Sequence, residues 1–581
     1  MTIPRPEHPK PQFKRDGWIN LNGTWTYKFD HGRSGMSEGI ELFKSKGFQD
    51  KITVPFCPES KLSGVAYTDF INTMWYHREI SIPADWSDKR ILLNFGAVDY
   101  EAEIFIDGTS AGIHFGGTVS FSIDITDFVK AGKTHDLVVR VIDDGQAGKQ
   151  PQGKQCPEYK PHGCRYTRTT GIWQTVWLEA VGMTGLKDCQ IVPDYDSGQF
   201  VFTPLFYGLR TGQRLQIMVN DGDCTVATKT RTAVDGIPIN IPIENVKDWS
   251  PESPFLYNII FEVFDADGET IDSINSYAGM RKVHIEGNQT FLNHKPIYQR
   301  LVLDQGFYPD GIWTAPTDED LKKDIELSMA AGFNGARLHQ KVFEERFHYW
   351  ADQLGYLTWG ESASWGIDPD SIHGVRNFIS EWNEIVVRDR NKPSIIAWTP
   401  FNETRNIANA NQHKRSHIEI YNLTKSLDPT RPVNDASGYI HYKTDLWTIH
   451  MYDRATALDE RLSKAQKDEG AAHCVEEHKD KEVKYQGQPY LLDEFGGIKW
   501  IHQDEKEFAD NTWGYGDDVR SLKNFYNTLE AEIDVINKYP EMTGWCYTQL
   551  TDVEQEQNGI YTYDRKEKFD MEKIKEIFTK K

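Results

Sequence analysis

The sequence predicts a multidomain protein with an N-terminal, jelly-roll-like β-sandwich, an immunoglobulin-like β-sandwich and a C-terminal (β/α)8 TIM barrel. The chain has 581 residues, far more than one hydrophobic core usually supports, so several domains are expected. Up to about residue 283, short runs alternate between apolar and polar residues, and beyond it apolar strands alternate with amphipathic helices. The first pattern is typical of antiparallel sandwiches, and the second of a parallel barrel.

Two sandwiches are predicted before the barrel. Residues 1–182 contain the alternating runs EAEIFIDG, VSFSIDI and HDLVVRVID, which are separated by turns rich in Gly, Asp and Pro. Residues 183–283 contain LQIMVNDGD, IPINIPI and LYNIIFEVFDADGETI. The length and strand density of this second segment are typical of an immunoglobulin-like domain.

The barrel is predicted over residues 284–581, because eight strands can be counted there with helical segments such as 318–332, 344–355 and 518–539 between them. In such a barrel the active site lies at the C-terminal ends of the strands. The predicted strands are IYQRLVLD, GARLH, YLTWGE, IIAWTPFNE, PVNDA, LWTIHMY, YLLDEFG and GWCYTQLTD.

Charge and cysteine usage exclude several classes of function. The formal net charge of -22 and the pI near 5.3 would repel a polyphosphate backbone, so nucleic acid is not an expected partner. The sequence shows no leader-like start and no apolar run of membrane-spanning length, so we expect a cytoplasmic protein without a membrane partner. Seven cysteines with irregular spacing fit reduced thiols better than a disulfide framework or a zinc site.

Polar side chains close most of the predicted barrel strands, and two of them are glutamates. Retaining glycoside hydrolysis needs two carboxyl groups about 5 to 5.5 Å apart, one protonated and one ionised. Strands four and seven lie nearly across the barrel, so we expect Glu403 to be the general acid/base and Glu494 the nucleophile. The other residues at strand ends are Asp304, Arg337, His339, Glu361, Asn402, His450, Tyr452, Gln549 and Asp552.

Some of these neighbours have expected supporting roles. Arg337 and Tyr452 are expected to hydrogen-bond Glu494 and keep it ionised, and Asn402 to hold the sugar 2-hydroxyl. Each also has a plain structural interpretation: the Asn-Glu pair could cap the next helix, the arginine could form a rim ion pair, and the tyrosine could simply pack. The positions left open between substrate contact and structural support are Glu361, His339 and His450.

The sequence resembles glycoside hydrolase family two, which includes β-galactosidases, β-glucuronidases and β-mannosidases, almost from end to end. The resemblance is carried by WINLNGTWTYKFD, RTTGIWQTVWLE and WSPESPFLY before the barrel, and by GFNGARLH, WTPFNE, LLDEFGG and GWCYTQLTDVEQEQNGIYTYDRKEK within it. It implies a sugar-binding-like N-terminal sandwich, Glu403 as acid/base and Glu494 as nucleophile. It also implies that the subsite for the non-reducing sugar is lined by Asp304, His339, Trp365 and Trp545.

The identity of the sugar is less constrained. The family's β-glucuronidases bind the uronate through an Asn-x-Lys motif, and the matching stretch here reads EQEQNGIYTYDR without a lysine. We therefore expect a neutral sugar, most simply β-galactose, held by hydroxyl partners such as Asp304, Glu361 and Asp552. A β-uronidase that reads the carboxylate with an arginine elsewhere on the rim is the alternative. The aromatic loop with Trp513 and Tyr515 favours exo action on a chain end.

Two other classes of protein are alternatives to a glycosidase. A non-catalytic carbohydrate-binding protein is disfavoured by the intact pair of glutamates. A metal-dependent barrel hydrolase would need a His-x-His pair closing the first strand, which instead ends LVLDQG. No metal is required, although a structural or site Mg²⁺ or Na⁺ ion is compatible with the family, and the family resemblance implies a dimer or tetramer acting on a small glycoside or oligosaccharide.

Overall fold

The computed structural model describes residues 3–42, 48–404, 407–468, 470–475, 478–501, 512–516 and 519–580. It confirms the predicted fold class: two β-sandwiches followed by a barrel of parallel strands and helices. No helix in these ranges is both long enough and apolar enough to cross a membrane.

The first sandwich packs a four-stranded sheet against a six-stranded sheet, with Trp25, Tyr76 and Leu178 among the residues of its core. Alternation along each strand directs one apolar face inward. In spatial order the smaller sheet contains Trp18–Asn20, Val176–Gly182, Lys89–Phe95 and Phe121–Asp124. The larger contains Asp50–Val54, Gly23–Phe29, Thr73–Ser81, Thr134–Ile142, Glu101–Ile106 and Thr109–Phe115. Val98–Asp99 pairs with Gly171–Ile172 beside them.

The second sandwich is smaller and has its own core, which includes Phe200, Leu215 and Phe261. Its strands are Leu186–Asp194, Gln199–Phe206 and Ile239–Pro242 in one sheet, and Cys224–Thr232, Arg214–Asp221, Tyr257–Phe264 and Thr270–Ala278 in the other. Within it, the short strands Trp249–Ser250 and Ser253–Pro254 pair with each other. Three short strands follow before the barrel, namely Val283–Glu286, Gln289–Leu292 and Lys295–Pro296.

The barrel contains the eight predicted strands. Seven form one parallel sheet in the order four, three, two, one, eight, seven, six. In chain order the eight strands are Gln299–Asp304, Gly335–Leu338, Leu357–Glu361, Ile395–Thr399, Ala436–Ser437, Trp447–Met451, Tyr490–Gly496 and Met542–Thr548.

The fifth strand differs from the prediction. PVNDA was expected to form it, and Val433 of this segment does form a parallel bridge with Trp398 of strand four, but the two-residue ladder is Ala436–Ser437, which pairs with Phe401–Asn402. The side chain of Asp435, between these two pairings, accepts hydrogen bonds from the backbone N–H groups of Tyr442 and Lys443 and holds the following turn against the strand.

Amphipathic helices surround the strands, as predicted. The first starts with a capping box in which Thr317 and Asp320 exchange side-chain and backbone hydrogen bonds. The α-helices in the described part of the barrel are Asp318–Ala330, Glu345–Leu354, Ile372–Asp389, Ala410–Leu427, Ala455–Asp468, Leu522–Asn537 and Met571–Thr579.

One loop of the first sandwich, residues 150–168, reaches the C-terminal face of the barrel. The backbone N–H of Gln152 donates to the carbonyl of Trp365 at 2.7 Å, and that of Gly153 to the carbonyl of Ala363 at 3.0 Å. Gly153 has a φ of +60°, and a Cβ there would lie 2.0 Å from the carbonyl oxygen of Gln340. Only glycine fits, so the loop is held tightly against the loop after strand three.

Candidate active site

The two predicted glutamates meet at the C-terminal face of the barrel. One carboxylate oxygen of Glu403, one of Glu494 and a ring nitrogen of His450 all lie within 4.8 Å of one another. Glu494 is 4% exposed, whereas Glu403 is partly accessible. Two carboxyl groups this close can flank one anomeric carbon directly.

Arg337 organises the nucleophile side of the site. It is fully buried at the end of strand two, and its Nη1 donates to Glu494 Oε1 at 2.9 Å. Its Nε donates to Glu361 Oε2 at 2.6 Å, and its Nη2 to Asn402 Oδ1 at 2.5 Å. Because the guanidinium group is planar and rigid, its hydrogen bonds to these three side chains fix their positions relative to one another. The expected contact of Arg337 with Glu494 is therefore present.

Tyr452 makes the second expected contact with the nucleophile, because its hydroxyl donates to Glu494 Oε2 at 2.6 Å. Burial acts to raise the pKa of Glu494, but His450 and Arg337 outweigh it, so the pKa lies well below its ordinary value. Glu494 is consequently an ionised carboxylate at neutral pH, as a nucleophile must be.

His450 links the two glutamates, a role that the sequence left open. Its Nδ1 lies 2.8 Å from Glu403 Oε1 and 3.3 Å from Glu494 Oε2, and its Nε2 lies 2.9 Å from Ser437 Oγ. Burial opposes a charge on this ring, but Glu494 and Asp493 outweigh burial and raise the pKa of His450. A protonated imidazole here is stabilised by the negative charge of the nearby Glu494 and Asp493.

A β-bulge in strand seven brings consecutive acidic residues into the site. Ile449 pairs with Leu492, whereas the next residue, His450, pairs with Glu494, so Asp493 is the extra residue. Strict alternation would turn one of the two acids outward. Instead Asp493 accepts a hydrogen bond from Ser437 Oγ at 2.6 Å, and its carboxylate lies 3.4 Å from His450 Nε2.

Asn402 presents an unused donor beside the acid/base. Its Oδ1 is taken by Arg337, while its Nδ2 is buried and has no hydrogen-bond partner among the residues that the structure describes. Glu403 itself has a φ of +48°, an unusual backbone conformation for glutamate that occurs at functional sites. His339 joins the same cluster, with its Nδ1 3.0 Å from Glu361 Oε1.

The structure does not bring Asp304 to the catalytic pair, and this expectation needs correction. Leu301 and Leu303 pack inside the barrel, whereas Val302 packs among the helices. Side chains two residues apart on a strand lie on the same side, so Asp304 faces the helix layer as Val302 does. Burial, together with the nearby Asp324, raises the pKa of Asp304 to about 7.

Trp545 and Asp552 are likewise corrected. Trp545 is 1% exposed and packs edge-to-face on Phe333 in the outer layer, because strand eight turns its neighbour Cys546 inward. Both carboxylate oxygens of Asp552 bind Lys568 Nζ at 2.8 Å, which commits this side chain to a buried ion pair. Neither residue is placed to line a sugar subsite.

The other predicted residues lie around the rim. Tyr515 stacks on Tyr452 with ring centroids 3.3 Å apart, and Trp513 meets Tyr515 edge-to-face. Residues 502–511 and 517–518 of the same predicted aromatic loop lie outside the described residues. The indole N–H of Trp365 donates to the carbonyl of Asn402 at 3.2 Å. Gln549 accepts from Gln305 and donates to Asn558, both at 2.8 Å.

The first sandwich also contributes residues to the site, which no pattern in the sequence indicated. Lys154 Nζ lies 4.1 Å from the centroid of the Trp365 ring, and the Arg165 guanidinium lies 4.8 Å from it. The Tyr166 hydroxyl donates to Glu556, which lies in the loop after strand eight. These residues carry no local motif, and only the packing of the 150–168 loop on the barrel brings them to the site.

Two groups of side chains have the spacing of metal ligands among the described residues. One is Glu403, Glu494 and His450, whose ring and carboxylates already contact one another. The other is a surface group of His284, Glu286 and His294 on the hairpin before the barrel.

Comparison with known proteins identifies the family. The TIM barrel domain of glycosyl hydrolases family 2 matches residues 283–580, the sugar binding domain of that family matches residues 19–176, and the model described as Glycosyl hydrolases family 2 matches residues 211–281. The matches cover all three structural parts of the chain.

Individual relatives are distant. A β-glucuronidase from Paenibacillus borealis is 23% identical over 596 residues, 94% of this chain and 94% of that protein. A β-galactosidase from Thermoanaerobacter pseudethanolicus is 25% identical over 389 residues, 65% of this chain but only 50% of that protein. The solved β-glucuronidase of Ruminococcus gnavus with D-glucuronic acid has a TM-score of 0.80 at 19% identity, covering 99% of this chain and 100% of that one, a likeness in fold. The chain belongs to the glycosyl hydrolases of family 2 and is a glycoside hydrolase.

Proposed function

We propose that this protein is a retaining exo-β-glycosidase in which Glu494 is the nucleophile and Glu403 the general acid/base. The observation that carries the proposal is the spacing of their carboxylates, which have oxygens within 4.8 Å of each other. An inverting enzyme keeps its carboxyl groups about 6.5–9.5 Å apart to hold a water between them.

The proposed reaction has two steps. Glu403 donates its proton to the glycosidic oxygen while Glu494 attacks the anomeric carbon, which releases the aglycone and forms a covalent glycosyl-enzyme. Glu403, now ionised, takes a proton from water as the water attacks the same carbon and frees Glu494. The unused Nδ2 donor of Asn402 is placed to hold the 2-hydroxyl of the sugar, a contact that strengthens in the transition state.

The surroundings of the site support exo action. The 150–168 loop is bonded to the loop after strand three through Gln152 and Gly153, and the ring of Tyr515 covers Tyr452. A mouth narrowed by two such loops suits a chain end better than the middle of a polymer.

For the sugar, we propose a β-linked hexuronic acid rather than the β-galactose expected from the sequence. The relative that matches 94% of both chains is a β-glucuronidase, and relatives from Bacteroides fragilis and Canis lupus familiaris carry the same name. A β-galactoside is the second candidate, because β-galactosidases from Thermoanaerobacter pseudethanolicus and Photobacterium profundum also match at 25% identity, although over only 50% and 45% of their own length.

The test is a panel of nitrophenyl β-glycosides: glucuronide, galacturonide, galactoside, glucoside, mannoside and xyloside. Glu494→Gln should lower kcat at least about 1,000-fold on every substrate the protein accepts, since no nucleophile remains. The matched control is Glu419→Gln, which removes a surface glutamate paired with Arg415. Undiminished hydrolysis by Glu494→Gln, or a product of inverted configuration, would refute the mechanism.

A further inference from the structure

The 150–168 loop carries two cations to the rim of the active site. Lys154 and Arg165 both lie over the ring of Trp365, whose indole N–H is bonded to the backbone carbonyl next to Glu403. Because Gly153 leaves no space between the loop and Gln340, Lys154 is held at a defined distance from the barrel.

Lys154 is a largely buried residue whose ammonium contacts the Trp365 ring but no acceptor atom of the described residues. The residue is 6% exposed, and in the part of the chain that the structure describes its Nζ makes no hydrogen bond and no salt bridge. Burial opposes the charge, yet Cys164, Glu556 and the two catalytic glutamates raise the pKa of Lys154, so it is charged at neutral pH. A buried charge that lacks hydrogen bonds is costly unless a ligand supplies them.

Other buried cations near the barrel mouth are already engaged. Arg337 is bound by Glu361 and Glu494, Lys568 by Asp552, and Lys341 by two backbone carbonyls. None of these is free to receive a negatively charged substrate.

Glu556, the acidic neighbour of Lys154, is also engaged. Its Oε2 accepts from the Tyr166 hydroxyl, and its Oε1 accepts from Asn558 Nδ2 at 3.0 Å. The carboxylate is thus held by the protein in place, and it does not approach the Lys154 ammonium to salt-bridge distance.

Arg165 adds a second positive group facing the space in front of the acid/base. It lines a cavity of about 190 Å³ together with Trp365, Asn402 and Glu403. A ligand in this space meets the Trp365 ring, the Asn402 amide, the Arg165 guanidinium and the acid/base. Lys154 lies beside this space, with its Nζ 4.1 Å from the centroid of the same Trp365 ring.

We propose that Lys154, assisted by Arg165, binds the carboxylate of the terminal hexuronic acid, so that the N-terminal sandwich reads the charge of the sugar. A carboxylate gives the buried ammonium the charge-assisted hydrogen bonds that it lacks, whereas a sugar hydroxyl would leave its charge uncompensated. The inference rests on the proposed function and adds a specificity-determining residue to it. The loop after strand eight need not supply a lysine.

The experiment compares Lys154→Met with wild type on nitrophenyl β-glucuronide and β-galacturonide, and on the corresponding glucoside and galactoside. The better uronide should lose ~10- to 150-fold in kcat/KM, mainly through KM, as expected when a hydrogen bond between charged groups is removed. The neutral glycosides should change less than about threefold, and Lys154→Arg should recover part of the uronide activity. Lys149→Met, an exposed lysine of the same part of the chain, is the control.

Comparing the two sugar classes separates substrate binding from a general effect. Lys154 also helps to lower the pKa of Glu494, and loss of that effect would slow uronides and neutral glycosides alike. Arg165→Met provides a second variant at a less buried position, and should reduce the uronide preference in the same direction.

Each outcome bears on one claim. Equal losses on charged and neutral sugars, or a wild-type preference for a neutral glycoside, would overturn the assignment of Lys154 and leave the retaining mechanism standing. Failure of wild type to hydrolyse any β-glycoside would overturn the proposed function itself. Competitive inhibition that is stronger for D-glucuronic acid than for D-glucose, and is lost in Lys154→Met, is the expected binding result.

Discussion

Removing the hydrogen bond from Tyr452 to Glu494 is the most direct test of the proposal that Glu494 is ionised. Tyr452→Phe removes only the hydroxyl that donates to Glu494 Oε2 at 2.6 Å. The phenyl ring keeps its stacking on Tyr515, whose centroid lies 3.3 Å away. Glu494 retains its bond from Arg337 and its proximity to His450. The substitution also removes the 3.1 Å contact of the hydroxyl with Thr548 Oγ1, but among the contacts of Glu494 it removes only one.

The expected magnitude follows from the type of hydrogen bond that is lost. A short hydroxyl-to-carboxylate bond contributes ~1.5–3 kcal/mol, and one pKa unit corresponds to about 1.36 kcal/mol. Removing the bond disfavours the ionised form, so the pKa of Glu494 should rise by roughly one to two units from its depressed value. The acid limb of kcat/KM, which reports ionisation of the nucleophile in the free enzyme, should move to higher pH in the same proportion. The neutral-pH plateau should fall about tenfold, because the carboxylate is also less well oriented.

The assay is a pH profile of kcat/KM on the best nitrophenyl glycoside of the panel. The matched control is Tyr539→Phe, which removes a hydroxyl bonded to Asp459 Oδ1 at 2.8 Å on the outer helices. That variant should keep the wild-type profile. An acid limb for Tyr452→Phe that coincides with wild type would refute the argument that side-chain hydrogen bonds hold Glu494 ionised.

Four further predictions follow from the structure. Glu403→Ala should slow hydrolysis of substrates with poor leaving groups ~100- to 10,000-fold and should slow hydrolysis of dinitrophenyl glycosides less. Added azide should increase the steady-state rate of this variant. Gly153→Ala should lower the free energy of unfolding in urea by about 1–3 kcal/mol and raise KM, because its Cβ would meet the Gln340 carbonyl oxygen at 2.0 Å and the φ is +60°. Prolonged treatment with a chelator should leave kcat/KM unchanged. Burial raises the pKa of Glu59 to about 8, so between about pH 5 and pH 8 this side chain is protonated in the folded state and ionised in the unfolded chain. The free energy of unfolding of the wild type should therefore fall over that range, by at most about 1.36 kcal/mol per pH unit. Glu59→Gln should make the free energy of unfolding in urea less dependent on pH.

Each of these four predictions would be contradicted by a specific result. Equal losses by Glu403→Ala for good and poor leaving groups would remove its role as acid, and a wild-type unfolding midpoint for Gly153→Ala would mean that the loop relaxes. Loss of activity with the chelator, recovered on adding Mg²⁺, would establish a metal requirement. Identical pH dependence of unfolding in wild type and Glu59→Gln would place the cause in other groups.

Much of the architecture could be predicted from the sequence because its signals are local. Alternation with period two and amphipathic helices report which segments bury one face, so the sandwiches and the eight barrel strands were recognisable. Glu403 and Glu494 were found for the same reason: each stands at the C-terminal end of a recognisable strand, where barrel active sites lie. Arg337 and Tyr452 were placed beside the nucleophile by the same argument.

Strand ends alone do not tell which way a side chain faces. The side chains of Asp304 and Trp545 face the helix layer, because side chains alternate along a strand and the adjacent Leu303 and Cys546 face the interior of the barrel. Which of the two alternating sets faces the interior is decided by tertiary packing. The β-bulge in strand seven could not be predicted from the sequence either. It interrupts the alternation of side chains along the strand and brings Asp493 into the site beside Glu494. His450 acquires its role through this local register.

What the sequence by itself determined is therefore the order of the domains, the strands of the barrel and the two acids that its strands present. Tertiary structure alone decided which polar residues converge, and above all that Lys154 and Arg165 of the first sandwich reach a site built by the barrel. The physical reason is that periodicity is set by neighbours in the chain, whereas the meeting of distant segments depends on how whole domains pack.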